Sequence, residues 1–299
     1  MTTATGPSFT DESAPEAAAA EIATPQETRL EYLARSKAGY SKVRHTFVQT
    51  PRGTSGGSKP GTLGLFGRNH RAAILYLALL ANWPWLVRED VPRASGAWIR
   101  FLSCETPGGL TWTEQSLSHA WKTLEGMNLI NRPRRGRLLN VQPRREDGKA
   151  EYSSPTGKSN DLYFVVPDQF WLDELHGTLS WPALAVLLIL LKETGGRDSA
   201  ELPVDRADQF YGISRTTVES GLAELRKRGL LSSRDRFVKD VDTGDGRRRA
   251  SIHTLLGPFS TQARKELQNA AKARVDVKTS AAVPFGGGDE DDPPEAASA

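Results

Sequence analysis

Cysteine occurs once, at Cys104, and methionine only twice. A single cysteine excludes an intrachain disulfide framework and any multi-cysteine zinc site, and it fits a reducing compartment. The histidines, His45, His70, His119, His176 and His253, are scattered, without the close pairing that a metal site or a rolling-circle nickase needs. Long hydrophobic runs are also missing. The run ALAVLLILL at 183–191 falls well short of the roughly 20 residues that span a bilayer. The start of the chain has no basic region followed by an apolar stretch, so it does not read as a secretory signal. No serine sits in a nucleophile elbow. GTSGGSKP at 53–60 is no phosphate-binding loop, because Pro60 stands where a magnesium-holding Ser or Thr is required. These absences lead to the expectation of a cytoplasmic, non-enzymatic protein without cofactor or membrane partner.

What is present is charge, unevenly placed. Thirty-nine basic residues against 36 acidic ones give a net charge of +3. Ten of the acids but only one base, Arg29, lie in residues 1–30 and 289–299, so the body between them carries about +12. A basic body between acidic tails points to a polyanionic partner. The tryptophans at 83, 85, 98, 112, 121, 171 and 181 sit among aliphatic neighbours, which argues for core packing over base stacking.

Composition and periodicity divide the chain. Residues 1–28 and 278–299 read as disordered acidic tails, and 29–66 as a basic extension ending in a Gly/Pro/Ser-rich linker. RAAILYLALLANW (71–83) and PALAVLLILLKET (182–194) are strongly apolar helices, the second capped by Ser180 with Pro182 in its first turn. Each opens one of two units, 67–167 and 168–258, and FSTQARKELQNAAKARV (259–275) begins a C-terminal helix, 259–277, capped by Ser260.

The two units share a pattern at an offset of 101. Leu117, Trp121, Leu124, Leu129 and Ile130 coincide with Val218, Leu222, Leu225, Leu230 and Leu231, and Thr113 with Ser214, both good N-caps. The second unit has the parts of a helix-turn-helix. ELPVDRADQFY (201–211) braces, Gly212 supplies a turn with positive φ, and Ser214 starts a helix whose stripe of Val218, Leu222 and Leu225 faces the core, with Gly221 permitting close approach. Ser214, Arg215, Thr216, Thr217, Ser220 and Lys227 then stand on the free face or first turn, as candidate contacts to phosphates and base edges. A hairpin follows, RFVKDV and ASIHTLL around an Asp245-Gly246 turn, with Arg247, Arg248 and Arg249 beside its tip. In the first unit the corresponding candidates are Gln115, Ser116, His119 and Lys122 on the helix, and Arg134, Arg135 and Arg137 in a long wing expected to pair RLLNV with DLYFVV. Its second helix has no clear place within 88–112.

The run GISRTTVESGLAELRKRGLL (212–231) resembles the turn and third helix of winged-helix regulators of the GntR and MarR kinds, and two such units in tandem resemble plasmid replication initiators. The resemblance covers about 60 residues of the second unit and a fainter span of the first, with no ligand-binding domain of the GntR type. It implies a mainly α fold with small β-wings (α+β), two tandem winged-helix domains, and sequence-specific binding of double-stranded DNA by the chain alone or as a homodimer. The expected role is transcriptional regulation from a nucleoid-associated position. Replication initiation at repeated origin sites and a protein-interaction scaffold are the alternatives.

Overall fold

The computed structural model describes residues 22–50, 58–135, 138–158 and 161–281. The expected tails before 22 and after 281, residues 51–57 of the linker and Arg137 lie outside them. The chain is α+β, with helices carrying the core and small antiparallel sheets at its margins. In order it forms α1 (Pro25–Ser36), β1 (Tyr40–Arg44), α2 (His45–Val48), β2 (Gln49–Thr50), β3 (Lys59–Pro60), α3 (His70–Glu89), α4 (Ser95–Leu102) and α5 (Glu114–Gly126). Short strands follow: β4 (Ile130–Asn131), β5 (Arg134–Arg135), β6 (Leu138–Leu139), β7 (Gln142–Pro143) and β8 (Tyr163–Pro167). Then come α6 (Gln169–Leu172), α7 (Leu175–Thr178), α8 (Trp181–Glu193), β9 (Ala200–Glu201), α9 (Ala207–Tyr211), α10 (Arg215–Lys227), β10 (Leu231–Lys239), β11 (Arg247–Leu255) and α11 (Thr261–Ala281). No described helix is long and apolar enough to cross a membrane.

Helices α3 and α8 form the centre. Every residue from Ala183 to Leu191 is buried, and so is every residue from Ala72 to Asn82. A helix apolar on all sides must be covered on all sides, and one continuous core joins the two halves. Around α3 pack α1, α4 and α5; around α8 packs α10. The α8–α10 crossing is very close. A Cβ on Gly221 would lie 2.3 Å from the Pro182 carbonyl oxygen and 2.6 Å from Val186 Cγ2.

The sequence repeat is a structural one. Helices α5 and α10 have the same bounds at the offset of 101, Thr113 and Ser214 cap them, and both end at a residue with φ −83° and ψ 0°. Asn128 (φ 59°) and Gly229 (φ 69°) then turn the chain. Each is followed by a leucine, Leu129 or Leu230, whose amide returns to the carbonyl of Leu124 or Leu225 at 3.0 Å.

Four expectations need correction. The N-terminal tail ends before residue 28, because Thr24 and Glu27 form a capping box that starts α1 at Pro25. At the other end, α11 continues through Ala281, past the expected boundary at 277. Residues 29–66 are no mere extension and linker, since Tyr32, Leu33, Val43, Phe47, Val48, Leu63 and Phe66 belong to the core. The strand in DLYFVV does not pair with RLLNV. It is β8, and it pairs with β1, more than 100 residues upstream, from Tyr40↔Pro167 to Arg44↔Tyr163. Instead β4 pairs with β7 and β5 with β6, making a short hairpin. The sheet of β1 and β8 outcompetes the long wing because Val43, Phe164 and Val166 join the core through it, whereas Glu146, Ser153 and Asp161 between β7 and β8 are tied down by Arg44. That buried guanidinium donates to Glu146 at 2.9 Å, Asp161 at 2.5 Å and the Ser153 carbonyl at 2.7 Å.

Two further arginines close helix ends. Arg29, fully buried, donates to the carbonyls of Phe101 and Ser103 at the end of α4, and to Glu174 at 2.5 Å. Arg264 from α11 donates to the Leu191 and Thr194 carbonyls at the end of α8. Burial alone would raise the Glu174 carboxyl, but hydrogen bonds from Thr106 and the Glu105 amide, with Arg29 beside it, hold it down to about 2.

Gly221→Ala should cost about 1–3 kcal/mol by overpacking the α8–α10 crossing, read from the urea midpoint; an unchanged midpoint would show that the crossing can relax. Glu174→Gln strands a buried guanidinium and should cost about 3 kcal/mol at pH 7. Because the folded carboxyl titrates below its unfolded value, its contribution is present above about pH 4.5 and lost on acidification towards pH 2. Stability curves of wild type and variant should therefore converge over that window, and a constant gap down to pH 2 would contradict the assignment.

Candidate nucleic-acid interface

The second half offers the better-formed surface. Helices α8, α9 and α10 follow one another along the chain, with α10 packed on α8, and the strands form a sheet in the order β10-β11-β9. The turn into α10 uses Gly212 at φ 69°. The linker presses on it: a Cβ on Gly64 would lie 2.8 Å from the Gly212 carbonyl oxygen. Ser214 caps α10 by accepting from the Thr217 amide at 3.2 Å, and the two hydroxyls sit 2.8 Å apart. Val218, Leu222 and Leu225 are buried. Thr216, Ser220, Ala223 and Lys227 are exposed, so the free face lies where the 3.6-residue period puts it. Unpaired amides at a helix start, together with the helix dipole, favour an anion there.

Arg215 is exposed, yet it is not a bare cation. It donates to Asp205 at 2.7 Å and Glu219 at 2.8 Å. The same holds in the hairpin. Arg248 is paired with Glu201 of β9 and lies 3.4 Å from Asp240. Arg249 donates to Asp235 at 2.9 Å. The Ser251 hydroxyl and Arg249 together hold the Asp235 carboxyl below its ordinary range. Arg247 differs, with its guanidinium 4.9 Å above the ring of Phe237. All three arginines are exposed and open strand β11. The expected Asp-Gly turn is a longer loop: Asp240 donates to the Gly246 carbonyl at 2.9 Å, and Asp245-Gly246 lies at its end.

No family model, curated protein or solved structure matches this chain. The geometry therefore stands alone. In the first half, Gln115, His119 and Lys122 are exposed on α5, while Ser116 is half-buried and takes part in the capping box with Thr113. Arg134 and Arg135 form β5. Lys122 and His119 thus share a face with Gln115, as Ser220 and Lys227 share one with Thr216. The second helix that the sequence left unplaced is α4, whose Trp98, Phe101 and Leu102 are buried.

Sequence reasoning missed Arg234, Arg236, Phe237 and Lys239, all exposed on β10. It began that strand five residues late, at 236, because LSSRDRFVK does not alternate: its apolar residues stand at 231, 237 and 238. It also missed the acids that pair with the arginines. Glu201 is 47 residues from Arg248, and only the sheet brings them together.

Ser214→Ala removes the cap and should cost about 1 kcal/mol, while Thr216→Ala, on the exposed face, should stay within about 0.5 kcal/mol of wild type. Denaturant unfolding of both variants checks this, and equal losses would mean that Thr216 is a structural residue.

Proposed function

We propose that the chain is a non-enzymatic, sequence-specific double-stranded DNA-binding protein of the winged-helix kind, acting as a transcriptional regulator. The observation that carries the reading is the order α8–β9–α9–α10–β10–β11 with its sheet β10-β11-β9. Three helices, a short strand between the first two, and a hairpin after the third make up that fold, and its third helix enters the major groove. In this reading α10 reads base edges through Arg215, Thr216 and Ser220, with Ser214, Thr217 and Lys227 on phosphates. Arg247, Arg248 and Arg249 of the hairpin approach the neighbouring backbone or minor groove. Gln115, Ser116, His119, Lys122, Arg134, Arg135 and Arg137 would extend the contact from the first half.

A second reading, a replication initiator at repeated sites, is favoured by one observation: α5 and α10 repeat with identical bounds inside one continuous core. Two reading helices held at fixed separation suit two successive half-sites without dimerisation.

Selection of bound fragments from a random duplex pool tests the proposal. One motif supports a regulator, a directly repeated motif supports an initiator, and no enrichment overturns both. Arg215→Ala should relax sequence preference, whereas Arg248→Ala should weaken all sequences alike and lower the log–log salt slope by about 0.9. Equal loss of discrimination from both variants would refute that division.

A further inference from the structure

The outer part of the second hairpin is sparsely packed, with Ala250 its one buried residue among the described ones outside the β9 pairing. Strand β9 pairs only with Ile252 and His253. Beyond that point β10 has no buried residue from Ser232 to Lys239. Among these sits Phe237, 66% exposed. Antiparallel partners share a face, so the register places Phe237 with Arg249, Lys239 with Arg247, and Asp235 with Ser251 on one face. Arg234, Arg236 and Arg248 lie on the other. The two strands thus carry six cationic residues and one acid, Asp235. The loop beyond them is opposite in sign, with Asp240, Asp242 and Asp245.

We propose that the Phe237 face of this hairpin is a wedge that inserts an aromatic ring at a base step of duplex DNA, unstacking and bending it. This rests on the DNA-binding reading and adds a mechanism to it. An exposed ring contributes nothing to the core of this protein and costs solubility. Surrounded by Lys239, Arg247 and Arg249, it is matched to a surface that is flat, apolar and flanked by phosphates. Apolar side chains entering the minor groove act in this way, and the bend they cause brings more protein into contact. The acidic loop sets the orientation. Three aspartates repel phosphate, so the hairpin does not enter tip first; it lies with its Phe237 face on the groove and its tip beyond the backbone. Arg247, already over the ring, is placed to follow it and meet the adjacent phosphate. Pyrimidine–purine steps, which unstack most easily, are the expected targets.

The test uses the full-length protein and a 30-base-pair duplex recovered by selection, carrying 2-aminopurine at successive positions. Saturating wild type should raise the 2-aminopurine fluorescence at one step, and a fluorophore pair on the duplex ends should report a bend. Phe237→Ala should bind about tenfold more weakly, the scale of one aromatic–base contact, and at saturation should give neither signal. Phe237→Trp should keep both. Arg248→Ala should weaken binding yet keep both signals at saturation. Circular dichroism checks that the variants fold. Binding by wild type without a fluorescence rise, or a rise retained by Phe237→Ala, overturns the wedge and leaves DNA binding standing. Failure of wild type to bind any duplex, including binding confined to single strands, overturns both readings.

Discussion

The second half hangs on the crossing of α10 over the start of α8. Gly221 lets the two backbones meet at Pro182. One turn later Glu224 accepts from the Ser180 amide at 3.2 Å and from its hydroxyl. One further turn on, Arg228 donates to the Thr178 carbonyl. These three residues run along one side of α10, next to the buried stripe of Val218, Leu222 and Leu225. The helix can therefore neither roll nor slide without losing packing and polar contacts together. Its free face and the hairpin that follows are fixed by the same contact. A side chain larger than glycine at 221 would move the entire surface on which the functional reading depends.

Charge has two uses in this chain, and composition cannot separate them. Arg29, Arg44 and Arg264 are buried, and each donates to carbonyls or carboxylates inside the fold. Two of them close the ends of α4 and α8, where helix carbonyls point outward and the dipole favours a cation. They also explain why α1 and α11, at either end of the described chain, are integral to it. Such arginines add to the net charge, but their guanidinium groups are not available to a partner at the surface.

What was legible in the sequence was local. The cap at Ser214, the positive φ at Gly212 and the stripe of Val218, Leu222 and Leu225 all depend on residues within a turn or two of each other, and the repeat at an offset of 101 is the same local pattern met twice. Periodicity and capping chemistry record those directly. What was not legible was non-local. Nothing near Tyr163 indicates that β8 will pair with β1 instead of the strand twenty residues before it. That outcome depends on Arg44 meeting Glu146 and Asp161 across the loop. Helix α4 was obscured by the prolines and glycines on either side of it, though Trp98, Phe101 and Leu102 carry an apolar face. The candidate site was half visible: its cations stood in the sequence, while acidic partners such as Glu201 of Arg248 came from elsewhere in the fold.

On the DNA-binding reading, those partners bear on selectivity. Arg215 is held by Asp205 and Glu219, Arg248 by Glu201, and Arg249 by Asp235. All these pairs are exposed, and exposed pairs are individually weak. A phosphate can displace the carboxylate, but the displaced acid remains nearby and repels the backbone. Non-specific attraction to DNA would thereby be reduced. A site that satisfies the helix, the hairpin arginines and the Phe237 face together still gains in full, since its contacts to base edges and to the ring do not depend on net charge. On the DNA-binding reading, the acids near the arginines lower affinity for every sequence by a similar amount, and so enlarge the fraction of binding that depends on the right one.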